Sequence, residues 1–215
     1  MKDGIIIKGI SGFYYVEVGQ DLYECKARGI FRKKGLSPLV GDRVAISIID
    51  ETDKRGNIEK IYERKTELVR PPIANIDKVL ITFSVKEPSP NMVLLDRFIV
   101  FSEKENLDIR IVLTKVDLDK DGTIVDRIVS DYEKIGYKVI PVSVETGQGV
   151  DQVRHELEGC ISVFAGQSGV GKSSILNAIE PDFKLETAEI SQKLGRGKHT
   201  TRHSQLYKLG PNAIV

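Results

Sequence analysis

Residues 166–173, GQSGVGKS, constrain this chain more than any other stretch. They match G-x-x-x-x-G-K-[ST] in full, follow the apolar run CISVFA and precede SSILNAIE, which Pro181 ends. A loop of this kind works where a strand hands over to a helix. Its glycines must turn successive backbone N–H groups inward, and the helix N-terminus must point at the same spot. The consequence for the fold is an α/β domain, a mostly parallel sheet with helices on its faces. The rest of the C-terminal two thirds agrees: strand-like runs at 79–85, 109–113, 137–142 and 160–165 alternate with helical stretches. Ile124, Val125, Ile128, Val129, Tyr132 and Ile135 recur at helical spacing before Gly136. Val150, Val153 and Leu157 share one side of a shorter helix.

The same loop dictates a ligand. Gly166, Gln167, Ser168, Gly169, Val170 and Gly171 form a cradle for nucleotide phosphates, and Ser174 stands at the helix start. Lys172 reaches the β- and γ-phosphates and Ser173 ligates Mg²⁺. The base is chosen elsewhere. Thr114, Lys115, Val116 and Asp117 follow the apolar run IRIVL, so a carboxylate at a strand end can accept from both N1–H and the exocyclic amine of guanine. Adenine has no such donor pair and would leave that carboxylate unpaired. Lys115 would lie along the base plane. Thr114 stands where asparagine is commoner, and looser local hydrogen bonding is expected from it. Ser143, in Val142-Ser143-Val144, closes the next strand and would bring a backbone N–H to the guanine O6. Residues 194–202 (LGRGKHTTR) read as a switch segment, within a stretch from 190 to 215 that has no acidic residue. Thr200 and Thr201 both qualify as its Mg²⁺ ligand, and Thr201 is preferred. His199 is a candidate for orienting the attacking water or sensing a partner.

The order of these pieces is unusual. In an ordinary small GTPase the phosphate loop and switch precede the base-reading motifs, whereas here 114–117 and 143 come first. The spacing inside each block is kept, so the chain reads as circularly permuted, a relocation that a parallel sheet tolerates when the old termini lie close together.

Residues 1–62 have another periodicity. Runs rich in Ile, Val and Tyr at 5–10, 13–18, 22–27, 43–49 and 57–62 are separated by turn signals. Five strands without a helical run suggest a small barrel, with the OB barrel leading and an SH3-like barrel as its rival. The charged, proline-ended stretch 63–72 (ERKTELVRPP) reads as a linker. The division expected is therefore 1–70, barrel and linker, and 71–215, permuted GTPase domain. Residues 1–70 hold 14 Lys/Arg against 11 Asp/Glu, a mild basic bias. Arg28, Arg32, Lys33 and Lys34 cluster beside Phe31, so phosphate contact with base stacking makes them candidate RNA-binding residues. Cys25 and Cys160, both in strand-like runs, have no zinc spacing and read as small buried apolar groups. No run approaches the ~20 apolar residues of a membrane span or a signal sequence, so the cytoplasm is expected.

In DKVLITFSVKEP, TKVD, GQSGVGKSS and GRGKHTTR, together with the barrel and the R-P that ends the linker, the chain resembles the ribosome-small-subunit-dependent GTPase A family (RsgA/YjeQ/YloQ) along essentially its whole length. The resemblance implies a GTP- and Mg²⁺-dependent hydrolase of late small-subunit maturation, stimulated by the small ribosomal subunit and its rRNA. A monomer is expected. The resemblance also implies a D-x-x-G motif and a C-terminal zinc domain. The sequence stops before both, so zinc is assigned to no residue here. The alternative class is an RNA-binding assembly factor that uses GTP as a conformational switch with little turnover. A small-molecule kinase would leave TKVD and the barrel unexplained.

Overall fold

The computed structural model describes residues 1–33, 35–69, 72–185, 206–209 and 213–215. Strands rich in β-branched residues open the chain: β1 (Lys2–Ile10), β2 (Phe13–Val18) and β3 (Asp21–Ala27). A short helix α1 (Gly29–Lys33) follows, then β4 (Arg43–Asp50) and β5 (Arg55–Ile61). They close in the order β1-β2-β3-β5-β4, with β1 antiparallel to β4 and β3 parallel to β5. This is the expected five-stranded OB-like barrel, and closure removes the free sheet edges that a five-stranded sheet would otherwise expose. Ile6, Val16, Val44, Ile46 and Ile58 are fully buried in it, each contributing roughly 1.5–3 kcal/mol by leaving water. Cys25 lies among them, and burial pushes its thiol up to about 11, which leaves it inert at neutral pH. Cys160 differs from expectation: it is half-buried in the bend ahead of a strand and is not part of one.

The segment read as a linker is structured. It carries the hairpin β6 (Glu67–Val69) and β7 (Pro72–Ala74), and the first compact unit runs from Met1 through Ile76. Arg64 explains why. Its guanidinium forks onto the fully buried Asp42, Nε to Oδ1 at 2.7 Å and Nη2 to Oδ2 at 2.8 Å, and also donates to Ser37 O at 2.6 Å. A buried carboxylate needs such a partner, and removing it would leave a charge uncompensated. Asn75 donates to Gly41 O at 2.9 Å, and Gly41 (φ +88°) passes so near β7 that a Cβ would stand 2.0 Å from Ala74 O. Only glycine fits there.

The second compact unit begins at Asp77. Its elements are β8 (Lys78–Ser84), α2 (Met92–Lys104), β9 (Asp108–Thr114), α3 (Thr123–Glu133), β10 (Lys138–Val142), α4 (Val150–Leu157), β11 (Ser162–Ala165) and α5 (Lys172–Ile179). The four strands are all parallel, in the order β10-β9-β8-β11. Leu80, Ile111, Val112, Leu113, Ile140 and Val142 are fully buried, as apolar strands covered by helices must be. Helix α2 starts at a side-chain cap, Asn91 Oδ1 accepting from Leu94 N at 3.0 Å. At α3 the amides of the first turn, Ile124 N and Val125 N, donate to Asp119 Oδ2, each at 2.9 Å. Ile128 and Tyr132 bury the inner face of α3, but Ile135 falls past its end and is 66% exposed. A last antiparallel pair, β12 (Lys208–Leu209) and β13 (Ala213–Ile214), reaches the sheet through a parallel bridge from Ile214 to Ile161. No described helix is long and apolar enough to cross a membrane.

Candidate nucleotide-binding site

Every motif singled out in the described part of this unit lies past the C-terminal end of a parallel strand, where open α/β sheets bind ligands. The phosphate-type loop runs from β11 into α5. Gly166 crosses β8 so closely that a Cβ would sit 2.1 Å from Thr82 O, while Gly169 (φ +81°) and Gly171 (φ +99°) take left-handed conformations. Val170, fully buried, anchors the loop from below, and Gln167 and Ser168 are exposed on it. Gly171 caps α5 without any side-chain bond, so the first turn's N–H groups are not consumed by a cap. The Lys172 amine curls back to donate to Gly166 O at 2.9 Å and Gln167 O at 2.7 Å, and burial lowers its pKa below the ordinary lysine value. A burial-destabilised cation held only by carbonyls gains by meeting an anion.

The residues expected to read a base come together around the end of β9. Asp117 lies in the short 3-10 turn Val116–Leu118, with Val116 buried beneath it. Ser143 Oγ, 26 residues on, donates to Asp117 Oδ1 at 2.6 Å. Ser143's own N–H is taken by Gln148 O at 3.0 Å, so it is not available as the amide expected to meet a guanine O6. Lys115 is left-handed (φ +58°) and its amine donates to Glu87 O.

Thr114 corrects the expectation of looser bonding. It is 3% exposed, and its hydroxyl reaches Val170 O at 2.6 Å, with Phe83 O a longer alternative at 3.3 Å. One side chain therefore ties the 114–117 turn to the 166–173 loop, 56 residues away in sequence. Sequence reasoning gave no role to the 85–90 loop (VKEPSP), although DKVLITFSVKEP runs into it and its pair of prolines separates a strand from a helix.

The remaining candidates divide. Ser173 and Ser174 open α5, half-buried. Among the described residues no group of three or more His, Cys, Asp or Glu is placed to hold a metal ion. A hydroxyl at a helix start beside a phosphate cradle suits Mg²⁺, which keeps waters and takes phosphate oxygens as its other ligands. His199, Thr200 and Thr201 lie outside the described residues, as does Lys34. Arg28 is exposed and ion-paired to Glu59 at 2.5 Å, and Arg32 and Lys33 lie on α1. Phe31 does not fit its expected role, because it is 8% exposed, an apolar side chain turned into the fold and closed to a stacking base.

Comparison with known proteins matches both parts of the chain. The family profile described as RsgA GTPase covers residues 61–215, and that of the RsgA N-terminal domain covers residues 3–58. A protein named small ribosomal subunit biogenesis GTPase RsgA from Alkaliphilus metalliredigens is 51% identical over 209 residues, spanning 97% of this chain and 71% of the relative. Its counterpart from a Geobacillus species is 50% identical over all of this chain and 73% of the relative. Among solved structures, YjeQ from Thermotoga maritima superposes with a TM-score of 0.82 at 35% identity, covering 99% of this chain and 72% of that one. YloQ, described as a circularly permuted GTPase, superposes with a TM-score of 0.69 at 44% identity, covering 85% and 65%.

Proposed function

This chain belongs to the RsgA GTPase family, and on that premise we propose that it binds and hydrolyses GTP as a factor of small-ribosomal-subunit biogenesis. One observation carries most of the weight. The Thr114 hydroxyl joins the end of the base-reading strand to the phosphate loop, so a guanine seat and a phosphate cradle form one unit despite their inverted order in the chain.

In this reading Asp117, held by Ser143, accepts from the two donors of guanine, and the Lys115 stem covers the ring. The loop amides and Lys172 exchange their internal partners for β- and γ-phosphate oxygens. Ser173 and Thr201 would hold Mg²⁺, which when bound neutralises phosphate charge. The chain's own part is to fix the phosphates in place and to supply Lys172 against the charge that develops on them. His199 is the proposed water-orienting or partner-sensing group. Arg28, Arg32, Lys33 and Lys34 are the proposed rRNA contacts, through charge alone now that Phe31 is buried.

Steady-state GTP hydrolysis by the purified protein, with and without small ribosomal subunits, tests the reading. Slow turnover alone and at least about ten-fold faster turnover with subunits is expected, since ordering a catalytic segment adds transition-state contacts. Tight GTP binding with a single turnover, unchanged by subunits, would instead favour a switch without sustained catalysis.

A further inference from the structure

Strand β8 lies between β9 and β11, so the 85–90 loop that leaves it stands between the base-reading turn and the phosphate loop. Four bonds fix it there. Val85 N–H donates to Thr114 O at 3.1 Å, and the buried Ser84 Oγ donates to Pro88 O at 2.8 Å. Lys86 Nζ donates to Leu118 O at 2.9 Å, and Lys115 Nζ donates to Glu87 O. The two lysines therefore cross in opposite directions, one from loop to turn and one from turn to loop, and they meet the turn on either side of Asp117. Further along, Pro88, Ser89 and Pro90 line the same small cleft as Gly166 and Gln167.

The backbone is strained where the two segments meet. Lys115 (φ +58°) and Glu87 (φ +52°) both occupy the left-handed region that side chains other than glycine rarely adopt. Such conformations persist where surrounding contacts impose them, and they gather at ligand clamps. A lysine stem is also the most flexible side chain that could be asked to lie flat along a ring, so an anchor at its far end reduces the freedom lost on binding.

We propose that the 85–90 loop forms the outer wall of the base site and that Lys86 is its positioning residue. By clamping the loop to Leu118, Lys86 sets the Glu87 carbonyl where it orders the Lys115 side chain for guanine. This rests on the guanine-nucleotide reading above.

Lys86→Met keeps the length of the side chain and removes its donor. Release of a fluorescent GDP analogue, followed by stopped flow, should become about five-fold faster, the size of effect that one solvent-exposed hydrogen bond produces. Affinity for inorganic tripolyphosphate should stay within about two-fold, because the phosphate loop keeps its own bonds. Lys86→Arg should restore slow release. Native release from the Met variant would overturn the proposal, and so would equal losses for GDP and tripolyphosphate, which would mark Lys86 as a general structural contact. Wild-type protein that bound no GDP would overturn the guanine reading itself, a result distinct from either.

Discussion

At the N-terminal edge of the parallel sheet three cations from three neighbouring strands close on one carboxylate, whereas at the C-terminal edge the charged side chains hold on mainly to backbone carbonyls. Glu156 on α4 receives Lys78 from β8 at 2.9 Å, Arg110 from β9 at 2.7 Å and Lys138 from β10 at 2.6 Å. Its burial would raise its pKa, but the Lys138 and Lys78 hydrogen bonds and the nearby Arg110 charge outweigh that and hold it at about 2. Past the other ends of the same strands, Lys172 donates to its own loop, Lys115 to Glu87 O, and Asp117 accepts one hydroxyl. The first arrangement satisfies charge internally and leaves nothing for a ligand to gain. The second leaves Lys172 on carbonyls that an anion can replace and Asp117 with lone pairs to spare, at the cost of left-handed backbone at Lys115 and Glu87.

If the two edges divide labour in this way, mutations should separate function from stability. Lys172→Ala, at the ligand edge, should lower GTP turnover by at least about 100-fold, as loss of a preorganised transition-state charge does. Its melting temperature should move by less than about 2 °C. Unfolding of that variant at markedly lower temperature would show that Lys172 also holds the loop together.

Glu156→Ala should do the reverse. It strands three cations at once, and because they are partly solvated the loss should fall below that of a fully buried pair, roughly 2 kcal/mol. GDP affinity should not change, as the site lies at the opposite edge. The contribution has a defined pH window. Glu156 titrates near 2 in the folded chain against an ordinary 4.5, so its stabilisation is complete above pH 4.5 and is lost as pH falls toward 2. Urea melts of wild type and variant should therefore differ at pH 7 and draw together in acid; a gap undiminished at pH 2.5 would exclude this linkage.

Thr114→Val sharpens the comparison at the ligand edge, since it removes one hydroxyl and keeps the shape. GDP affinity should fall by about five- to ten-fold, because Val170 O loses its partner and the base seat moves independently of the phosphate loop. Thr114→Ser should restore it. Isothermal titration of the three proteins distinguishes this from a packing defect, which serine would not repair.

Much of this was legible from the residues. Runs rich in Val, Ile and Tyr between turn signals marked all five barrel strands to within a few residues, because β-branched and aromatic side chains suit a pleated, half-buried strand. Glycine and lysine at fixed spacing marked the phosphate-type loop. What escaped was held by distant partners. The 63–72 stretch has the composition of a linker, and its order comes from Arg64 meeting Asp42 and Asn75 meeting Gly41, 22 and 34 residues back. Phe31 looked like an aromatic in a basic loop, since a five-residue helix is too short to display the face that turns it inward. The Glu156 cluster draws on three strands and a helix, and no local pattern announces it.

The central claim is that Asp117, at the C-terminal edge of the sheet, reads guanine. Asp117→Asn tests it most directly, because asparagine retains an oxygen to accept the Ser143 hydroxyl while presenting a donor where the carboxylate accepted. In competition titrations, wild type should prefer GDP over xanthosine diphosphate, and the variant should reverse that order with at least about 100-fold loss for GDP. Equal weakening toward both nucleotides, or wild-type protein that bound ADP as tightly as GDP, would contradict the assignment.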